Sequence, residues 1–227
     1  MPGAVSPSEK HVQRGREVYD RLAAYYGLPE WRTPLPPLDE LVSTILSQNT
    51  NDRNRDAAYQ ALRSRFPTWE EVRDAPREEV IEAIRSAGLA NQKGPRIQQI
   101  LRQITAERGG LDLSFLGELS PQAAQDWLLR FQGVGRKTAA IVSLFSLGLP
   151  AFPVDTHVHR VSGRIGLRPP DLTAEACHDY LAAVFAPSTY GAAHLNLIRL
   201  GREICHARTP ACERCPLRTL CEYAQAR

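Results

Sequence analysis

The chain has 227 residues, 43% hydrophobic and 23% charged, with a net charge of +3 and a pI near 8.7. That composition is globular and long enough for one large domain or two small ones, and its slight basic excess fits an anionic partner such as nucleic acid without requiring one. It argues against a membrane role: no apolar run approaches the length needed to span a bilayer, and the longest, IVSLFSLGLPAF, is broken by Ser, Gly and Pro.

In chain order, MPGAVSPSEKHVQRGREVYD lacks the apolar core of a signal peptide and reads as cytoplasmic. A helix is expected over residues 8–26. It is followed by GLPEWRTPLPP, residues 27–37, whose four prolines mark a linker. Leu38, Leu41, Val42, Ile45 and Leu46 then share one helical face, as do Ile97, Ile100, Leu101 and Ile104. Ser120 before Pro121 is an N-cap signal, Thr173 opens another helix, and Gly88, Gly109 and Gly133 suit helix ends. About ten short helices are expected, with almost no strand alternation, so the fold class is all-α. A second break at GLPAFPVD, residues 148–155, brackets a central block over 30–149. Residues 1–29 and 150–227 flank it.

Residues 133–139 read GVGRKTA and could be taken for a dinucleotide fingerprint, with Asp155 as the ribose acid. That geometry needs a strand before the glycines, and SPQAAQDWLLRFQ carries a helix cap and a helical period instead. A Walker loop is excluded by spacing. What remains is helix, tight glycine turn, helix, in which Gly133 and Gly135 free the backbone to aim N–H groups at an anion. Such a grip on phosphate reads no bases and suits a protein that scans DNA; a plain turn between packed helices is the alternative. The lysine in this turn is conspicuous because only Lys10, Lys93 and Lys137 are lysines among 28 basic residues. Genome composition accounts for arginine on an ordinary surface, but a guanidinium cannot serve as a deprotonated amine.

Four of the five cysteines crowd the C-terminal stretch as C-x6-C-x2-C-x5-C, at Cys205, Cys212, Cys215 and Cys221. In a chain without a secretory signal, four such thiols imply a metal or a cluster rather than disulfides. Zinc usually shows two close pairs, whereas one pair with two longer arms suits a [4Fe-4S] cubane. Cys177 reads as a core residue. Arg199, Arg202, His206, Arg208, Arg214 and Arg218 thread the same segment, where they can face a DNA backbone or offset the charge of a cluster.

GVGRKTA, VDTHVHRV and the cysteine pattern, in that order, resemble the endonuclease III family of helix-hairpin-helix DNA glycosylases, from about residue 38 to the end. The resemblance implies a two-domain all-α fold. The central block forms a six-helix barrel, the flanking residues form a discontinuous iron–sulfur domain, and duplex DNA lies across the cleft. It also implies a bifunctional glycosylase/AP lyase of base excision repair acting on oxidised pyrimidines, with Lys137 as Schiff-base nucleophile and Asp155 as its carboxylate partner. Double-stranded DNA with damaged bases or abasic sites is the implied partner, a [4Fe-4S] cluster the cofactor, and a monomer near the nucleoid the expected state.

Bottom-up chemistry agrees with that transfer. Attack on C1′ needs a free amine, and desolvation, a helix N-terminus and Arg136 all lower a lysine pKa. A carboxylate can stabilise oxocarbenium charge or accept the proton, and Asp155 also suits an N-cap. Gly133, Val134, Gly135 and Arg136 are the expected phosphate grip. LSQNTND resembles the segment whose glutamine enters the duplex, pointing to Gln48, although Asn51 stands where an Asp often follows. GLANQKG resembles the loop with an apolar wedge, pointing to Leu89. Gln48 as a structural hydrogen bonder and Leu89 as a buried residue are the rival readings. A mismatch glycosylase for U or T opposite G, and a non-catalytic DNA-binding iron–sulfur protein, are the alternatives for the whole chain.

Overall fold

The computed structural model describes residues 6–29 and 33–226. Glu30, Trp31 and Arg32 of the linker, and with them the expected boundary at residue 30, lie outside the described residues, as do residues 1–5 and 227. The described residues form twelve α-helices and no strand. They divide into two compact units, one running over Pro34–Leu149 and the other combining the chain up to Thr33 with the residues from Pro150 onward.

The continuous unit holds α2 (Pro37–Leu46), α3 (Asp52–Arg65), α4 (Trp69–Asp74), α5 (Arg77–Ala83), α6 (Ala90–Arg108), α7 (Pro121–Leu129) and α8 (Arg136–Phe145). Several of these helices start where the sequence provides a cap. Thr68 and Glu71 form a reciprocal capping box on α4, and the Ser120 hydroxyl accepts from the Ala123 N–H ahead of Pro121 on α7. The apolar faces of α2 and α6 meet in one core with Leu62, Leu128, Phe131, Ala139 and Val142. Burying each large aliphatic side chain there contributes about 1.5–3 kcal/mol. This packing fixes α8 against α2 and α7, and so fixes the turn between α7 and α8.

The discontinuous unit holds α1 (Glu9–Tyr26), α9 (Thr156–Ile165), α10 (Ala174–Val184), α11 (Tyr190–Glu203) and α12 (Glu222–Gln225). Ser8 caps α1, which buries Val18 and Leu22 and packs on α10 and α11. The approach of α1 to α10 is close because Gly15 leaves room for Val184. Arg14 extends from α1 to the carbonyls of Ile165 (3.0 Å) and Gly166 (3.1 Å), tying the N-terminal helix to the end of α9. Cys177 is fully buried in α10. No helix among the described residues is long and apolar enough to cross a membrane.

The helix count exceeds the ten expected because α4, α5 and α12 span only 6, 7 and 4 residues. Two turns or fewer cannot display a helical period.

Candidate active site and iron–sulfur segment

The turn after α7 is shaped by Gly133, whose φ is +82°, a left-handed value that side chains resist. A Cβ there would also overlap the Arg96 guanidinium. Gly135 is the N-cap of α8, which puts Arg136 and Lys137 in the first turn of that helix. Both side chains are partly buried, so Lys137 has a foot in low dielectric and lies at the positive end of the helix dipole. The Val134 side chain is buried in the core and its N–H donates to the Phe131 carbonyl at 3.0 Å, which anchors the turn.

Gln48 follows α2 and is partly exposed. Its Nε2 donates to the Gly133 carbonyl (3.1 Å), while its Oε1 accepts from Arg96 Nη1 (3.2 Å). One amide thus joins the end of α2, the glycine turn and α6. A structural hydrogen-bonding role for Gln48 is therefore present in the free protein. Leu89 precedes α6 in a left-handed conformation, φ 51°, and is 46% exposed. A buried role for it is excluded. A bulky residue in that conformation costs about 1–2 kcal/mol, and a large apolar side chain held in water adds to the cost. Asn49, with φ 53°, is the other non-glycine residue with positive φ among those described. Leu89 is itself expected to enter a duplex, and Asn49 directly follows the other such residue, Gln48.

In the discontinuous unit, Asp155 is the N-cap of α9, its carboxylate accepting from the Val158 N–H at 2.7 Å. The preceding residues 151–154 are buried. Two buried imidazoles hold them: His178 Nδ1 bonds the Phe152 carbonyl and His194 Nδ1 the Pro153 carbonyl, both at 2.9 Å. Phe152 stacks on Phe185 at 5.1 Å between ring centres. Sequence reading missed these two histidines, whose only signal was placement on the apolar faces of α10 and α11.

None of the C-terminal cysteines is joined in a disulfide. Burial pushes the Cys215 and Cys221 thiols up, and the charges of the other cysteines in the segment add to the effect. Four sulfurs close enough to repel one another need a cationic centre to be held as thiolates. Among the described residues no three donors converge on a single-ion site. A cubane takes each thiolate at a separate iron, so convergence on one point is not required of its ligands. Arginines from α9 hold the loop: Arg160 donates to the Cys205 carbonyl (3.2 Å), and Arg164 to Cys205 Sγ (3.4 Å) and the Ala207 carbonyl (2.7 Å). Arg214 caps the Glu203 carbonyl at 2.6 Å and Arg199 pairs with Glu203 at 2.9 Å. These arginines are committed to the fold of the segment. Cys177 lies apart in the core, its thiol facing the Leu172 carbonyl.

Residues 42–187 match the model of the HhH-GPD superfamily of base excision DNA repair proteins. The chain belongs to that superfamily. Residues 205–221, which begin and end on the outer cysteines, match the iron–sulfur binding domain of endonuclease III. Endonuclease III of Thermotoga maritima is 36% identical over 194 residues, covering 84% of this chain and 85% of the relative. A solved structure of a trapped endonuclease III–DNA covalent intermediate matches with a TM-score of 0.80 at 29% identity, over 95% of this chain and 97% of that one. A thermostable thymine-DNA glycosylase gives a TM-score of 0.81 at 21% identity, a likeness of fold alone. As an HhH-GPD protein of the endonuclease III type, the chain is a DNA glycosylase with AP lyase activity that acts in base excision repair and carries a [4Fe-4S] cluster.

Proposed function

We propose that this HhH-GPD protein removes oxidised pyrimidines from duplex DNA through an imine formed at Lys137. The observation that carries the reading is the position of Lys137 in the first turn of α8, directly behind the left-handed turn at Gly133. The turn and the helix start hold a phosphate, and that phosphate sets the distance from the lysine to the sugar of the flanking nucleotide. The amine attacks C1′ as the C1′–N bond breaks, and the electron pair leaves with the base. Ring opening gives an imine, loss of a C2′ proton follows, and the 3′ phosphate departs by β-elimination. Asp155 supplies the carboxylate that offsets positive charge on the sugar or takes a proton from the amine. Lys93 is the other lysine of the continuous unit, and burial lowers its pKa to about 8. At 1% exposure it is closed to a nucleotide.

Gln48 and Leu89 fill the gap left by the extruded nucleotide, Leu89 by virtue of its exposed apolar side chain. Cys205, Cys212, Cys215 and Cys221 hold the cluster, which supplies iron–thiolate bonds that fasten the C-terminal segment; no step of base removal passes through it. The enzyme works as a monomer on chromosomal DNA in the cytoplasm.

Duplexes carrying thymine glycol or a U:G mispair, offered in competition, test the substrate. Release of thymine glycol with strand nicking, and loss of nicking in Lys137→Ala with duplex binding kept, are expected. Faster release of uracil would make the chain a mismatch glycosylase, and no cleavage by the parent would make it a DNA-binding protein without catalysis.

A further inference from the structure

Lys93 is among the largest fully buried side chains of the described residues. A charged group in that position needs partners, and both that the structure gives it are backbone carbonyls: Nζ donates to Leu46 O and to Ala87 O, each at 2.8 Å. Leu46 is the last residue of α2, two positions before Gln48. Ala87 ends the 3-10 turn Arg85–Ala87, two positions before Leu89. The two carbonyls belong to separate chain segments, one at the end of α2 and one in the turn before α6, whose apolar side chains Leu46 and Ala87 lie in the same core. A left-handed residue follows each carbonyl, Asn49 three positions after Leu46 and Leu89 two positions after Ala87.

We propose that Lys93 is a positioning residue whose ammonium clips the segment bearing Gln48 to the segment bearing Leu89, so that the two gap-filling side chains are presented to the duplex together. The inference rests on the reading of Gln48 and Leu89 as the residues that enter the duplex.

The chemistry of the side chain fits the task. An ammonium is compact and tetrahedral, so two of its protons can meet carbonyls arriving from different directions in a closed space, where a planar guanidinium has neither room nor the right donor angles. In a chain with only three lysines among 28 basic residues, one has been kept here. The Leu46 carbonyl closes α2 and carries the negative end of that helix dipole, which favours the cation. Burial and Arg96 disfavour it, and the ammonium nonetheless predominates at neutral pH. Arg96, one turn further along α6, holds the Gln48 side chain itself (3.2 Å). The first turns of α6 therefore grip the Gln48 segment twice, by its backbone through Lys93 and by its side chain through Arg96. The Leu89 segment is gripped once through Ala87, and its own carbonyl opens α6 by accepting from the Lys93 N–H at 2.9 Å.

The test uses the full-length holoenzyme and a duplex in which 2-aminopurine stands opposite a tetrahydrofuran abasic-site analogue, so that fluorescence reports opening of the stack. Single-turnover release of thymine glycol is followed in parallel. Leu89→Ala is expected to lower both readouts, and Lys93→Met to lower both by about tenfold, the loss expected for charged hydrogen bonds to two carbonyls. The combined variant is expected to lose less than the product of the two single losses, because once the Leu89 side chain is gone the clip has only Gln48 left to position. Losses that multiply, or full fluorescence in Lys93→Met beside a deficient Leu89→Ala, would overturn the clip while leaving the wedge in place. Full fluorescence in Leu89→Ala would remove the wedge reading, and the clip with it.

If the Met variant does not fold, Lys93→Gln keeps N–H donors on a shorter neutral chain. Its amides at residues 47–51 and 86–90 are then expected to exchange with solvent faster than in the parent while those of α7 do not change. Unchanged exchange at both segments would overturn the clip.

Discussion

Asp155 is asked to do two things, and a pair of substitutions separates them. As the N-cap of α9 it accepts from Val158 N–H at 2.7 Å in extended backbone, φ −101° and ψ −176°. Asn can make the same bond, whereas Ala cannot. Loss of the cap costs about 1 kcal/mol, and loss of a carboxylate charge at a helix N-terminus adds roughly 0.3–1 kcal/mol, at the lower end here because the side chain is partly exposed. Asp155→Ala should therefore lose about 1.5 kcal/mol and Asp155→Asn a few tenths. In thermal melts the Ala variant then drops by several degrees, and the Asn variant stays near the parent. If the carboxylate takes part in the chemistry, both variants lose base-release rate by about 10²–10⁴-fold, since Asn supplies neither charge nor basicity. Circular dichroism melts and single-turnover release of thymine glycol, run on the same preparations, decide the matter. An Asn variant that releases base at the parental rate would show that Asp155 acts only as a cap.

Gly133→Ala should cost about 2 kcal/mol from its φ of +82°, with further loss as the Cβ displaces Arg96 and frees Gln48; melting and DNA affinity should fall together, and an unchanged melt would contradict the left-handed turn. Cys212→Ser should lose iron on purification while Cys177→Ala keeps it, as iron analysis of the two proteins would show, because Cys177 is sealed in the core of α10. Burial lowers the Lys93 pKa from the ordinary lysine value of 10.5 to about 8, so between those values the unfolded chain binds more protons than the folded one. The contribution of this site to stability is then lowest below pH 8 and rises with pH across that window, by on the order of 3 kcal/mol in all. Subtracting the pH profile of Lys93→Met from that of the parent in denaturant titrations should isolate this rise, and a flat difference would show that burial does not perturb the amine.

The parts of this fold that were readable in the sequence are those with a local cause. Ser120–Pro121 starts α7, Thr173 starts α10, and the apolar spacing from Leu38 to Leu46 is that of α2, each within one helix length. The C-terminal cysteines were equally visible because their ligand spacing is a property of the local chain. What stayed hidden depends on contacts made far along the chain. Leu89 has the same apolar side chain whether it packs inward or stands in water, and only its exposure and left-handed backbone tell the two apart. Gln48 meets Gly133 across 85 residues, and His178 and His194 reach back 26 and 41 residues to the segment before Asp155. Lys93 sits in the polar run NQKG, where nothing local distinguishes a solvated lysine from a buried one.

The central claim is that Lys137 is the nucleophile, and trapping with borohydride tests it most directly. The parent protein is incubated with a duplex carrying one abasic site and sodium borohydride, digested, and the DNA-linked peptide is sequenced by mass spectrometry. A covalent adduct on the peptide containing Lys137, absent from Lys137→Ala, is the predicted result. No adduct from a folded, DNA-binding parent, or an adduct mapped to Lys10 or Lys93, would contradict it.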